Sequence, residues 1–251
     1  QSILSNDIAQ GEKLIEAYFT PMAGSFGAGL NSGWYNTAKP HSLGGFDLTF
    51  TLNTVIIPNS AKKFNIVDAG GTTFTSAETE AEASTIFGSS EVTPMTYNME
   101  GDQAIGQGDF EMPGGFKTPA IPLPMIQAGI GLIKNTAIDI RYMPMLNVGD
   151  NINVNLFGVG VKHDLLQWIP GIGDAIPMSL SLQGGYTSLN SELKLEIDNA
   201  LQKVSLKTKA TTINLVASRK LLMMTGYIGL GYNSATTTFA TDANFDLGGI
   251  Q

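Results

Sequence analysis

The stretch "IQAGIGLIKNTAIDIRYMPMLNV", Ile126 to Val148, constrains the fold more than any other part of the chain. Two apolar arms meet at Lys134-Asn135-Thr136, and the second arm sets Asp139 and Arg141 among isoleucines. Successive side chains of a β-strand point to opposite faces. Ile138, Ile140 and Tyr142, with Leu146 next in phase, therefore share one face. Ala137, Asp139, Arg141, Met143 and Met145 share the other. A charged face cannot meet lipid, where an arginine at mid-depth costs about 2–4 kcal/mol. In a membrane barrel it is the lumen face. There the two charges either join a structural network with neighbouring strands or contact a substrate or ion.

The same period recurs along the chain. Gly45 to Ile57 sets Phe46, Leu48, Phe50 and Leu52 against Asp47, Thr49, Thr51 and Asn53. Ile126 to Leu132, Asn151 to Val161, Met178 to Tyr186, Val204 to Ala217 and Leu222 to Tyr232 alternate in the same way. Strands of about 10 residues suit a tilted membrane crossing; soluble strands average roughly 5–6. The polar faces hold Asn, Ser, Thr, Gln and Gly rather than the Lys and Glu of a soluble sandwich. Charged residues are only 14 % of the chain. No apolar run of about 18 residues exists, which excludes a transmembrane helix and leaves membrane strands open. The reading is an all-β protein: an antiparallel transmembrane β-barrel with an N-terminal helix and a glycine-rich, plug-like segment. A soluble β-sandwich is the remaining alternative.

Other classes fall away. A net charge of −8 argues against nucleic acid. Without cysteine there is no disulfide, thiol catalysis or cysteine-held metal. The two histidines, His41 and His163, have no G-x-S-x-G nucleophile motif to serve. His163-Asp164 reads as the cap of a short helix in "KHDLLQWIPGIGDAIP". "GSFGAG", "FGVGVK" and "GYIGLGYN" match no nucleotide loop; in strands such glycines allow close packing by side chains or a plug. The acidic stretches 78–82 and 100–111 lack calcium-loop spacing and read as solvated loops. The expectation is a non-enzyme with no metal and no cofactor.

At the N-terminus, Asp7 to Tyr18 reads as a helix stopped by Pro21, followed by a glycine-rich irregular segment to Pro40. The division expected is 1–44 for the helix and plug-like segment and 45–251 for the barrel. Residues 68–118 read mostly as loop, with Met95 to Met99 a weak strand. No charged n-region and apolar h-region open the chain, as in an exported protein whose signal peptide has been removed. The final "NFDLGGIQ" reads as a loop, so closing strands are expected after Gln251.

"YFTPMAGSFGAGLNSGWYNTAKPHSLGGFDLTFT", "STIFG", "GVGVKHDLLQWIP" and "YIGLGYNSATTTF" resemble an uncharacterised family of Bacteroidota outer-membrane barrels, over nearly the whole chain. The order of helix, "GWYNTA" segment and strands is similar, at fold level only, to FadL-type transporters and the related barrels of type IX secretion. That resemblance implies an outer-membrane location, a lumen plugged by the N-terminal segment and passage of small hydrophobic molecules. This chain is much shorter, and no binding position transfers. Phe19, Met22, Phe26, Trp34 and Tyr35 are the expected plug-side contacts to such a ligand, with Asp139 and Arg141 as polar lumen groups. The alternative is an accessory barrel without transport of its own, partnered by other outer-membrane proteins in a larger secretion, assembly or uptake complex.

Overall fold

The computed structural model describes residues 2–70, 74–76, 82–98, 107–148, 152–169, 177–197 and 200–241. In chain order the elements are α1 (Ser2–Asn31), β1 (Phe46–Ile56), β2 (Lys63–Asn65), α2 (Ile66–Gly70), β3 (Phe74–Ser76), β4 (Glu82–Ser84), β5 (Thr93–Asn98) and β6 (Gln107–Met112). Then come β7 (Ala120–Leu132), β8 (Thr136–Val148), β9 (Ile152–Asp164), β10 (Ser179–Ile197), β11 (Ala200–Leu221) and β12 (Met224–Thr241). Short 3₁₀ turns occupy Asn59–Ala61 and Leu166–Trp168. The chain forms two compact units: Gln1–Phe26 with Thr54–Pro122, and Gly27–Asn53 with Leu123–Gln251.

The first unit corrects the expected helix end. α1 is 30 residues long and carries Pro21 inside it. A proline in a helix interior costs about 3 kcal/mol, because it removes a hydrogen bond and its ring presses on the preceding turn. Here Leu14, Tyr18, Met22 and Phe26 are all buried. They recur every fourth residue, so the apolar stripe steps across the proline. Burying each such side chain contributes roughly 1.5–3 kcal/mol, which outweighs the break. The loosened turn finds other partners: Thr20 Oγ1 donates to the Glu16 carbonyl at 2.7 Å, and the Tyr18 carbonyl accepts the Ile86 N–H at 3.2 Å. The Tyr18 hydroxyl donates to the Gly114 carbonyl at 2.9 Å. Burial pushes its phenol up to about 12.

Ile86 belongs to "STIFG", residues 84–88, which is a buried knot. Thr85 N and Oγ1 donate to the carbonyls of Lys62 (3.0 Å) and Ala61 (2.7 Å), and Phe116 N donates to the Ile86 carbonyl at 2.8 Å. Around it lie a β2–β4 pair and a β3–β5–β6 sheet. The stretch 68–118 is therefore richer in strands than the expected loop, and the weak candidate at Met95 is β5. Lys63 pairs with Glu82 across β2 and β4 at 3.1 Å. Glu78, Glu80 and residues 100–106 of the acidic stretches lie outside the described residues.

The second unit is built on a seven-stranded antiparallel sheet, a half-barrel, in the order β1-β7-β8-β9-β10-β11-β12. Its edges are β1 and β12. The strands exceed the expected length: β7, β8 and β9 have 13 residues, and β10, β11 and β12 have 19, 22 and 18. The β7–β8 turn puts Lys134 and Asn135 at positive φ (54° and 43°). The β11–β12 turn is Leu222-Met223, with Leu222 at φ 56°.

Alternation along β8 follows the expected sides as far as Met143. Ala137, Asp139, Arg141 and Met143 are buried, and Ile138, Ile140 and Tyr142 are exposed. After Met143 the register shifts, so that Pro144 and Met145 together oppose Asn155 of β9. This β-bulge turns Met145 outward, to 64 % exposure, against its expected place beside Arg141. Leu146 is 36 % exposed, as is Ile138, although the shifted register sets it opposite buried Val154.

Candidate functional site

Arg141 and Asp139 are 1 % and 3 % exposed. The β7–β8 register sets them opposite Gln127 and Gly129. Arg141 Nη1 donates to the Leu30 carbonyl at 3.0 Å and Nη2 to Gln127 Oε1 at 3.2 Å. Its guanidinium lies 3.9 Å from the Trp34 ring centroid. Among the described residues it forms no ion pair with a carboxylate. Leu30 sits in the last turn of α1, a turn that contains no basic residue. The C-terminal end of a helix carries partial negative charge and unsatisfied carbonyls. Arg141 supplies the missing cation from a strand. Asn53 Nδ2 donates to the Gly29 and Ser32 carbonyls at 3.0 and 3.2 Å, and Gly33, at φ 73°, turns the chain out of the helix.

Beyond that turn, residues 34–38 lie on the buried face of the sheet. A β-carbon at Gly160 of β9 or Gly185 of β10 would approach the Trp34 indole to 2.6 or 2.5 Å. The indole thus rests directly on two stretches of bare backbone and holds Arg141 on its other contact. Tyr35 packs over Gly229 and meets Tyr227 edge-on at 5.9 Å. Ala38 N donates to Ser218 Oγ at 2.9 Å. Gly27 faces Ala235, where a β-carbon would come within 2.7 Å. Gly158 and Gly160 of "FGVGVK" and Gly229 and Gly231 of "GYIGLGYN" do admit close packing, as expected, whereas Gly226 has nothing near it. Those of "GSFGAG" fall within α1, where Gly27 packs closely and Gly24 does not.

A second cluster adjoins the first. His41 Nε2 lies 2.7 Å from Asp47 Oδ1, and Thr49 Oγ1 donates to Asp47 Oδ2 at 2.7 Å. A β-carbon at Gly129 would collide with Asp47 and come within 2.7 Å of Asp139 Oδ1, so this glycine lets the two carboxylates converge. Buried Lys162 of β9 faces both electrostatically. Asp139 Oδ2 and Arg141 Nε have no hydrogen-bond partner among the described residues. On β10 and β11 the buried face continues with Ser181, Gln183, Thr187, Thr208, Thr212 and Asn214. Asn214 Nδ2 donates to Gln183 Oε1 at 2.8 Å. Residue-by-residue reading missed Asp47, His41, Gln127 and Lys162 as members of this network. Period 2 had already put Asp47 on the polar face of its strand; what was missing was the register between strands.

The residues expected to meet a ligand are packed within the protein. Phe19, Met22 and Phe26 lie on the buried stripe of α1, and Trp34 is 1 % exposed. Tyr35 is half-buried. Asp164 Oδ1 does accept the Leu166 N–H at 2.8 Å at the start of the 3₁₀ turn. His163 instead clamps that turn, taking Trp168 Nε1 at 2.9 Å and contacting Thr136 Oγ1 at 2.8 Å.

The other face of the sheet is exposed and apolar. Ile126, Ile130, Ile138, Ile140, Phe157 and Val159 stand on it with Leu182, Leu215 and Leu230. One boundary of this band is sharp. The last apolar side chains are Met145 on β8, Phe157 on β9, Tyr186 on β10, Ile213 on β11 and Tyr232 on β12. Beyond them on the last four strands come Asn155, Ser188, Thr211 and Ser234. Met145 lies opposite Asn155, Phe157 pairs with Ser188, Tyr186 with Thr211 and Ile213 with Tyr232. The boundary thus slips along the strands by two residues at each of the first three steps and by none at the last. With about 3.3 Å per residue and about 4.8 Å between strands, it crosses the strands at roughly 45° to their direction.

Residues 1–249 match a family described as a family of unknown function (DUF6588). No curated protein and no solved structure matches the chain.

Proposed function

The chain belongs to the DUF6588 family, and we propose that it is an outer-membrane β-barrel protein that binds or passes a small hydrophobic ligand beside its internal segment. The slanted apolar band carries this reading. Strands of membrane barrels tilt by about 35–45°, so a lipid layer cuts them obliquely, and lipid-facing residues must shift along each successive strand. A soluble sheet has no reason to expose such a band. In the closed barrel the edges β1 and β12 are not left open to lipid; the closing strands expected after Gln251 lie between them. The buried face is then the lumen wall, and residues 27–44 occupy it. The chain has no enzymatic role in this reading. The likeness to FadL-type transporters rests on the order of elements in the sequence.

A test of location and transport uses the full-length protein. Extraction from membranes only by detergent, and uptake of a fatty acid or aromatic compound by liposomes that carry the protein, are the expected results. Recovery in the aqueous fraction overturns the membrane reading. No uptake of any fatty acid, aromatic or sugar overturns transport alone.

The packing of Trp34 on Gly160 and Gly185 favours a second reading, an accessory barrel whose interior is filled. Native purification then yields a stoichiometric outer-membrane partner, whereas a lone barrel supports the transport reading.

A further inference from the structure

Past the apolar boundary, the outer face of β11 becomes basic. Lys203, Lys207 and Lys209 alternate with buried Val204, Leu206 and Thr208, so all three lysines point the same way as Ile213 and Leu215. Lys207 and Lys209 are about 7 Å apart by strand geometry. Among the described residues none of the three lysines forms an ion pair. Lys203 lies opposite Lys194 of β10, and the cross-strand neighbours of Lys207 and Lys209 on this face are neutral hydrogen-bonding groups. Lys209 pairs with Ser188 and Thr236, and Lys207 with Asn190 and Thr238. Asn190 Nδ2 also donates to Asn155 Oδ1 at 3.2 Å, which extends the polar row onto β9. Among the described side chains, Glu192, opposite Ser205, is the acid on these rows.

The strands also tell the two ends of the sheet apart. β10 and β11 run on past the band over 188–197 and 200–209. The opposite end carries the tight turns before Thr136 and at Leu222-Met223 together with the β9–β10 connection over 165–178. Membrane barrels keep short turns on the periplasmic side and long extensions outside. Resting on the membrane reading above, we propose that Lys203, Lys207 and Lys209, with Ser188, Asn190, Thr236 and Thr238, bind the phosphorylated sugar headgroup of an outer-leaflet glycolipid. The ammonium groups meet the phosphates, the amides and hydroxyls meet the sugar, and the acyl chains lie on Ile213, Leu215 and Tyr232. Continuity of the basic row with the apolar band selects a lipid over a free anion. The hydroxyl and amide flanks select a sugar headgroup over a simple phosphodiester.

The experiment uses the full chain in nanodiscs of phosphatidylcholine doped with a bis-phosphorylated lipid A, with phosphatidylglycerol, or with neither plus inorganic phosphate. Retained lipid is read by native mass spectrometry. Lipid A is expected to be retained on the wild type and lost by about tenfold in the triple variant Lys203→Gln, Lys207→Gln, Lys209→Gln. Lys220→Gln, at the other end of β11, is expected to keep it. Lipid A retention unchanged in a triple variant that inserts normally overturns the proposal. So does equal, lysine-dependent retention of phosphatidylglycerol, or competition by inorganic phosphate alone. A wild-type chain that stays outside the nanodisc overturns the membrane reading itself, which separates the two failures.

Discussion

The two halves of β11 have opposite patterns. Over 203–209 the buried side chains are Val204, Leu206 and Thr208, and the exposed ones include three lysines. Over 211–218 the buried side chains include Thr212, Asn214 and Ser218, and the exposed ones include Ile213 and Leu215. The strand is continuous, and its alternation never loses phase. What changes is the environment that the proposed membrane reading gives each half: water outside the first, hydrocarbon outside the second. The inversion of the usual inside–outside rule is therefore local to the band rather than a property of the whole sheet.

The largest effect that tests this contrast is on the polar interior of the band. Arg141→Ala leaves the Leu30 carbonyl and Gln127 without their donor and removes the cation from Trp34. It is expected to cost on the order of 3–5 kcal/mol, as for other broken buried charge contacts. Urea unfolding in micelles measures it, and a loss under about 1 kcal/mol breaks the picture of a closed, dry network. Next comes the outer face. Leu215→Arg is expected to cost about 2–4 kcal/mol if that half meets lipid, while Lys207→Leu in the other half shifts stability by under about 0.5 kcal/mol. Equal responses would erase the distinction between the halves.

A smaller and sharper contrast comes from adjacent glycines on opposite faces. A β-carbon at Gly185 would stand 2.5 Å from Trp34, whereas one at Gly184 has nothing nearer than 3.9 Å. Gly185→Ala is expected to lose roughly 1–3 kcal/mol by overpacking and Gly184→Ala to be nearly neutral. Loss of near-ultraviolet tryptophan dichroism in the first variant alone would report it. The smallest effect is at the apolar turn. Leu222 holds φ 56°, a conformation costing about 1–2 kcal/mol for an ordinary side chain and less for asparagine. Leu222→Asn is expected to raise the unfolding midpoint slightly; a clear fall would show that the leucine is itself engaged by lipid or a partner.

Much of the sheet was legible because its chemistry is local. The isoleucines around Asp139 and Arg141 state both the period and the side. Three features were not local. α1 continues through Pro21 because a buried stripe from Leu14 to Phe26 overrides a propensity rule. Met145 faces outward because the Pro144 bulge shifts the phase that simple alternation extends. The partners of Arg141 were hidden because Leu30 is 111 residues away and Trp34 more than a hundred; no spacing within one strand points to either. The site was thus legible as two charges facing inward, and illegible as a clasp on the end of a helix.

The bed of backbone beneath Trp34 bears on the order of assembly. Residues near the start of the chain touch β8, β9, β10, β11 and β12, and the Ala38–Ser218 bond alone closes a loop of 180 residues. Contacts of such separation make folding slow, because the chain entropy of closure is spent before any of them forms. A sheet that paired its late strands first would present naked grooves at Gly160 and Gly185 with nothing to fill them. The early segment must therefore be waiting when the late strands arrive.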